Sequence, residues 1–372
     1  MYFKISKRNF YNALSTASRA ISNFSPLPAF SGIKIDAKED RIILTGSDSD
    51  VSIQTTLKHG EDCVLEIKEM GSIVIEAKYI LEIVRKTDAD IIEVEMIDGS
   101  LTKISGNSAE FRINGMKAIE YPAIDFSKPK ESFQLAEDVL KKIITQTSFA
   151  TSDKETRPVL MGVNFHCEGN ELHCVATDSY RLARKTVELE EELNFNVTIP
   201  SKSLQEVLKT LEGENEVEIA VNDKKAQFII GDTIVQTRLI DGAYPETNRL
   251  IPLQFDYELT IDTKDLLNAI DRASFIKNDG VSVIKFSLSE AECVLSSKSI
   301  EVGSSTEVLS SASFEGQPLE ISCNGRYVFE AIRALGGSLV KFSLCGEMKP
   351  FVITSLEDDK ILQLVLPVRT YA

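Results

Sequence analysis

The sequence predicts an α+β fold built from three tandem copies of one unit, each copy made of two strand-helix-three-strand modules. Three observations carry this reading. Lys78, Glu82 and Arg85 recur 124 residues later as Lys202, Glu206 and Lys209, and again as Arg326, Glu330 and Arg333, in a chain of 372 residues, three times 124. Apolar columns keep the same register, with Ile80, Leu204 and Val328 in one and Val84, Leu208 and Ile332 in the other. Within a copy, Phe3-Lys4-Ile5-Ser6 leads into a helical pattern just as Ile73-Val74-Ile75-Glu76 does, which is a weaker inner repeat. Self-similarity at a fixed period decides the architecture before local propensity does.

In copy one the first module reads as the strand at 3–6, a helix over 7–20 and strands near 30–37, 41–46 and 49–57. The second reads as 73–76, a helix over 77–86 and strands near 91–97, 101–106 and 109–114, each run alternating apolar and polar. Apolar periodicity places the remaining helices over 137–149, 201–210, 264–276 and 325–334. Proline-rich connectors separate the copies, from Tyr121-Pro122 through Ser127-Lys128-Pro129 and from Tyr244-Pro245 through Ile251-Pro252. Residues before proline favour extended backbone, which suits a linker. The domains are therefore expected at 1–125, 126–250 and 251–372. Outer strands of successive copies are expected to join edge to edge, covering edges that would otherwise invite aggregation.

The repeated helix carries the functional signal. Residues seven apart on a helix lie about 20° apart in projection, so each basic pair shares one face while the apolar columns occupy the other. Lys and Arg that merely pair with the intervening Glu would give an ordinary solvated surface. Three copies at one register point instead to a shared repeating polyanion, and a phosphate backbone fits. The chain as a whole carries 41 Lys and Arg against 57 Asp and Glu, net −16, yet the six expected helices together carry +7. Positive helices within an acidic body would attract a polyanion to one face and repel it elsewhere.

With 43% hydrophobic and 26% charged residues, the composition is that of a globular chain able to bury a core in each copy. No stretch approaches the roughly 18 apolar residues of a membrane span, and Met1-Tyr2-Phe3-Lys4-Ile5-Ser6-Lys7-Arg8 has no apolar leader core, so a cytoplasmic location is expected. The six cysteines are scattered, and reduced core thiols are expected. His166-Cys167 and His173-Cys174 flank a turn-like Glu168-Gly169-Asn170-Glu171, but adjacent strand residues point to opposite faces, so four ligands do not converge on one ion. The carboxylate pair Asp48 and Asp50, and His59 beside Gly60-Glu61-Asp62, sit in polar turns where such residues are common. No phosphate loop, nucleophile elbow or His-Glu-x-x-His motif is present, so neither catalytic residues, nor a metal, nor a cofactor is expected.

Three separated motifs closely resemble the bacterial DNA polymerase III beta subunits, the replicative sliding clamps: Val175-Ala176-Thr177-Asp178-Ser179-Tyr180-Arg181-Leu182-Ala183, Leu239-Ile240-Asp241-Gly242-Ala243-Tyr244-Pro245 and Leu366-Pro367-Val368-Arg369. The likeness covers the whole chain and its threefold repeat. It implies three DNA-clamp domains with helices lining a ring and sheets outside, closed as a head-to-tail homodimer around duplex DNA without reading its sequence. It further implies a non-catalytic processivity factor, and a cleft between the second and third domains where polymerase, clamp loader and repair proteins dock short peptides.

By position the cleft comprises Leu160, Thr177, Ser179, Tyr180, Arg181, Leu182, Pro245, Arg249, Leu250, Met348, Pro350, Leu364, Leu366, Pro367, Val368 and Arg369, with Arg181, Arg249 and Arg369 expected at its rim. Lys154, Arg157 and Lys202 are implied to face DNA, and the repeat adds Lys78, Arg85, Lys209, Arg326 and Arg333. For the ring seam the resemblance points to Phe111 and Ile113 against Phe275 and Ile276. Many relatives carry Gly-His where this chain has Ser179-Tyr180, and some carry a basic residue at the position of Phe24 and tyrosines at those of Pro158 and Val159. The alternative is a peptide-docking scaffold that uses the same cleft and never encircles DNA; a metal-dependent hydrolase is a more distant one.

Overall fold

The computed structural model describes residues 1–22, 27–213, 215–277 and 280–369. Phe24 and the terminal Thr370-Tyr371-Ala372 lie outside the described residues. Six α-helices are present among the described residues: α1 (Lys7–Ser18), α2 (Ala77–Lys86), α3 (Glu137–Thr147), α4 (Ser201–Leu208), α5 (Thr263–Ala273) and α6 (Gly325–Leu335). Each begins directly after a strand and coincides with an expected helix. Four expected helices end earlier: those read over 7–20, 201–210 and 264–276 stop at Ser18, Leu208 and Ala273, and that over 137–149 stops at Thr147, followed by a separate 3-10 turn, Ser148–Ala150.

Local chemistry sets several helix ends. Asp262 caps α5 by accepting from the Asp265 N–H at 2.9 Å, and Asn324 caps α6 by accepting from the Arg326 N–H at 3.0 Å. Gly336, at φ +66°, ends α6. Ser6, before α1, does not cap its own helix; its Oγ accepts from the Val64 N–H and ties a strand end in place.

Packing divides the chain into two compact units, Met1–Leu140 with Lys202–Leu239, and Lys141–Ser201 with Ile240–Ala372. The first holds a five-stranded antiparallel sheet in the order Leu65–Glu69, Tyr2–Ser6, Ile91–Asp98, Leu101–Gly106, Ala109–Asn114. Its nine-stranded sheet runs Met116–Lys117, Gly71–Glu76, Gly32–Ala37, Arg41–Ser47, Val51–Lys58, Thr233–Arg238, Lys225–Ile230, Glu216–Val221, Glu131–Ala136. The second unit holds a seven-stranded sheet, Gly162–Thr177, Arg181–Pro200, Ile361–Val365, Phe351–Ser355, Leu339–Leu344, Tyr257–Asp262, Ser313–Glu315, and a four-stranded one, Gly303–Val308, Cys293–Ser299, Val283–Leu288, Leu319–Asn324.

The expected edge-to-edge joining is seen twice. Val51–Thr55 pairs antiparallel with Thr233–Thr237, and Arg181–Lys185 pairs with Ile361–Val365, so each large sheet runs through two successive copies.

Cores lie between helices and sheets. In the first unit Phe10 and Leu14 of α1, with Ile80 and Val84 of α2, pack with Phe3, Ile5, Ile33, Ile35 and Leu44, all fully buried. Gly46 lies against α1 so closely that an added Cβ would stand 2.1 Å from the Ala17 carbonyl oxygen, which explains glycine there. In the second unit Ile270, Val328 and Ile332 pack with Phe286, Phe342 and Phe351. All six cysteines are free thiols, five of them buried.

Some elements escaped the sequence reading. Leu65–Glu69 pairs with Tyr2–Ser6 but carries three charges in five residues, which masks its alternation. Gly162–Thr177 spans what sequence splits at the turn-like tetrapeptide Glu168-Gly169-Asn170-Glu171, and it pairs with the long strand Arg181–Pro200 over both halves, with an irregularity between Gly169 and Glu171.

Candidate functional site

The cleft residues expected from sequence all belong to the second unit. Their geometry starts at the turn between Gly162–Thr177 and Arg181–Pro200. The Thr177 hydroxyl donates to the Arg181 carbonyl at 2.6 Å and accepts from the Ser179 N–H at 3.1 Å. One Asp178 carboxylate oxygen accepts from the Tyr180 and Arg181 N–H groups at 2.9 and 3.0 Å. These bonds force Ser179 to φ +79°, a left-handed conformation in which a Cβ is strained. The same turn occurs in copy one, where Asp48 accepts from the Asp50 and Val51 N–H groups and Ser49 sits at φ +88°. Asp48 and Asp50 thus shape a turn.

Arg181 departs from the expected rim position. Its side chain is 8% exposed, and its guanidinium donates to Asp178 Oδ2 at 3.0 Å, to the Phe149 carbonyl at 2.6 Å and to Glu330 Oε2. The guanidinium carbon lies 4.4 Å from the Tyr327 ring centroid and 5.3 Å from that of Phe149. All the fork's directions are used inside the chain, so Arg181 positions the turn against α6 and does not stand free at a rim. Burial pushes the Glu330 carboxyl upward, but the bonds from Arg181 and from Arg326 Nε at 2.8 Å outweigh it and hold the group below the ordinary carboxylate range.

Beside the turn, Val175, Leu182, Val352 and Leu364 form a buried apolar cluster, against which Tyr244, Ile251, Leu362 and Leu366 pack half-buried. The Tyr244 hydroxyl accepts from the Thr177 N–H at 3.0 Å, and burial raises its own pKa. The chain returns past the turn through the Leu366 N–H to the Tyr180 carbonyl at 2.9 Å and the Val368 N–H to the Ser322 carbonyl at 2.7 Å. Of the other expected cleft residues Tyr180, Leu250, Met348, Pro245, Arg249 and Arg369 are exposed, and Pro350, Pro367 and Val368 are half-buried. Leu160, on the 3-10 turn Pro158–Met161, is buried, as is Thr177. The buried cluster with its half-buried neighbours forms an apolar floor of the kind that can anchor an apolar side chain.

Sequence reading missed Val175, Val352, Ile251 and Leu362 in the floor, and Phe149 and Tyr327 around Arg181. Tyr244 and Val175 do stand inside the quoted motifs; Val352 carries no local signal.

The basic residues at the repeated register are exposed: Lys78 and Arg85 of α2, Lys202 of α4 with Lys209 just past its end, and Arg326 and Arg333 of α6; of the apolar columns Ile80, Leu204, Val328, Val84 and Ile332 are buried, while Leu208 is half-buried and Val207 takes the core place beside it. Most pair locally. Lys78 bonds Glu76 at 2.6 Å, Arg85 and Lys86 share Glu82, Lys209 bonds Glu206 at 2.8 Å and Arg326 bonds Glu330. The two cations hold the Glu82 carboxyl down to about 2, with Arg85 the larger cause. Among the described residues Lys202 and Arg333 have no carboxylate partner. Exposed Arg157 donates to the Ser179 hydroxyl at 3.2 Å, and Lys154 is exposed.

At the expected seam Phe275 is 67% and Phe111 36% exposed, and Ile113 is half-buried. Ile276 is 1% exposed: the chain turns inward after α5, its N–H bonding the Ala273 carbonyl, and this side chain is unavailable to a partner. No group of His, Cys, Asp and Glu able to hold a metal occurs among the described residues; His173 bonds the Thr186 hydroxyl, and Cys174 is fully buried. Nor is any helix among them long and apolar enough to cross a membrane.

Comparison with known proteins places this architecture. The profiles of the DNA polymerase III beta subunit match in chain order, its N-terminal domain at residues 1–125, central domain at 134–246 and C-terminal domain at 248–369. The beta sliding clamp of Bacillus subtilis (strain 168) is 39% identical over 378 residues, covering 100% of both chains. The crystal structure of the DNA polymerase sliding clamp from Bacillus subtilis superposes with a TM-score of 0.96 at 39% identity over 100% of both chains. A sliding clamp from Bartonella birtlesii, solved bound to griselimycin, is 27% identical with a TM-score of 0.93 and full coverage of both chains. The chain belongs to the DNA polymerase III beta subunit family, and its fold is the three-domain sliding-clamp fold. Members of this family are processivity factors of the polymerase and are not themselves catalytic.

Proposed function

We propose that two copies of this chain close head to tail into a ring around duplex DNA, and that the ring tethers the replicative polymerase, the clamp loader and repair proteins through short peptides bound at the cleft. The observation that carries the DNA-facing half of this reading is the threefold register of exposed basic residues on α2, on and just past α4, and on α6, with Ile80, Leu204 and Val328 buried behind them. Because most of these cations already pair with a neighbouring carboxylate, their hold on phosphate is weak and screened, which favours sliding over fixed binding. In this reading the domains are 1–125, 126–250 and 251–372, the helices line the ring and the sheets lie outside. Lys78, Arg85, Lys154, Arg157, Lys202, Lys209, Arg326 and Arg333 face the duplex.

The cleft half rests on the apolar floor of Leu182, Leu364 and their neighbours and on the exposure of Tyr180, Leu250 and Met348. Griselimycin bound to the Bartonella birtlesii clamp supports ligand capture by this fold. Arg249 and Arg369, both exposed, are the cations left to meet a peptide's carbonyls or acidic groups, since Arg181 is engaged.

Closure rests on Phe111, Ile113 and Phe275. Phe275→Asp places a charge where the partner's apolar surface would cover it, so light scattering should report monomers where the parent gives dimers. A dimer that survives this change removes Phe275 from the seam.

A further inference from the structure

The two joints between successive copies share one backbone plan and carry opposite floors. We infer that the connector 125–128, fastened by Gln227, fills the first joint as a built-in strap and closes it to the peptides that the second joint takes; this rests on the cleft reading above.

Residues that face each other on adjacent strands stand on the same side of the sheet. In the second joint Val352 faces Leu364, Leu364 faces Leu182 and Leu182 faces Thr177, a row that with Val175 makes the apolar floor. The first joint repeats these registers, with Gln227 facing Gln236, Gln236 facing Ser52 and Ser52 facing Ser47. Thr45 stands two residues before Ser47, as Val175 stands two before Thr177. The neighbouring turns match too, with Ser49 and Ser179 both at positive φ. Each connector opens on a Tyr-Pro whose tyrosine reaches the joint: the Tyr121 hydroxyl donates to the Thr45 carbonyl at 3.4 Å, and that of Tyr244 accepts from the Thr177 N–H. The apolar residues Val175, Leu182, Val352 and Leu364 therefore have the polar counterparts Thr45, Ser52, Gln227 and Gln236.

The polar floor is occupied from within the chain. Gln227 is fully buried, and its amide nitrogen donates to the Phe126 carbonyl at 3.1 Å, the Ser127 carbonyl at 3.3 Å and Gln236 Oε1 at 2.8 Å. Backbone carbonyls are what a docked peptide would offer, and here the connector offers them. Clasps secure it on both sides. Lys225 Nζ donates to the Asp125 carbonyl at 2.7 Å and meets its carboxylate at 3.3 Å, the Ser127 N–H donates to that carboxylate at 2.9 Å, and Lys128 pairs with Glu218. A buried amide without partners is costly, so glutamine at this position requires the strap. Val352, in the place of Gln227, has no donor with which to hold a connector. An apolar anchor likewise finds no apolar seat among Thr45, Ser52 and Gln236.

Two measurements on the full chain test this. Calorimetric titration with griselimycin should find one equivalent bound per chain. Chymotrypsin should cut the native parent slowly after Phe126, read by mass spectrometry as the fragment ending there. Gln227→Met keeps the volume and removes the donors, and the loss of two hydrogen bonds should speed that cut about tenfold while griselimycin still binds at one equivalent. Lys225→Met, which removes a clasp at the margin of the joint, should speed it as well and decides the matter if the core variant does not fold. Cleavage at the parent rate in a variant that circular dichroism shows to be folded overturns the strap. Two equivalents of griselimycin on the parent overturn the closure of the first joint. No binding to the parent overturns the cleft reading, and with it the contrast between the joints, whatever the cleavage rates.

Discussion

Replacing Arg181 by methionine separates a positioning role from a partner-contact role. The substitution keeps an unbranched chain in the site but removes a cation whose side chain is 8% exposed and bonded to Asp178, Glu330 and the Phe149 carbonyl between two aromatic rings. Deleting one member of a buried charge network costs about 3–5 kcal/mol because the partners stay buried without compensation. Glu330, 26% exposed at its side chain, keeps Arg326, so the lower end, about 3 kcal/mol, is expected. In a cooperative unit of about 150–250 residues that corresponds to a fall of roughly 6–12 °C in Tm by calorimetry. Arg181→Lys should recover little, since an ammonium cannot serve three directions and stack on two rings. A fall below about 2 °C, combined with a large loss of peptide affinity, would refute this reasoning and return Arg181 to the rim.

Three further outcomes follow from the same geometry. Ser179→Gly removes a Cβ held at φ +79° and should raise Tm, with a gain of up to about 1 kcal/mol after the larger unfolded-state entropy of glycine is subtracted; an unchanged or lower Tm would show the turn unstrained. Gly46→Ala drives a Cβ to 2.1 Å from the Ala17 carbonyl and should cost on the order of 3 kcal/mol in a urea titration, whereas a midpoint equal to that of the parent would mean α1 packs farther away. Glu330 has its pKa depressed below its ordinary 4.5, so its stabilisation is present above that value and lost as pH falls through the lower folded value. The stability difference between parent and Glu330→Gln should therefore shrink on acidification, and a difference that grows instead would contradict the sign.

Sequence revealed the parts governed by periodicity and repetition. The six helices announce themselves because each carries an apolar stripe backed by charge, and the 124-residue register fixes their equivalence. It also pointed to the turn at Thr177-Asp178 and to Leu182 and Leu364, which the fold gathers into one buried apolar cluster. What stayed hidden depends on distant partners. The charge on Arg181 says nothing of Glu330, 149 residues away, and a rim position was the natural expectation for an arginine. Ile276 beside Phe275 reads as a continuous apolar patch, yet the 3-10-like turn after Ala273 sends one side chain outward and the other into the core. The strand Leu65–Glu69 was hidden by its charges, because its pairing with Tyr2–Ser6 is set by the sheet and not by alternation.

The central claim, a ring threaded on DNA, is tested most directly by gel filtration of loaded protein on nicked circular DNA at high salt, before and after a single restriction cut. Charge-mediated binding falls steeply with salt, whereas topological linkage does not. Retention on the circle followed by release on linearisation is the predicted result. Failure to co-elute with the circle in the presence of a loader, or retention that survives the cut, would contradict the ring and leave a peptide-docking scaffold.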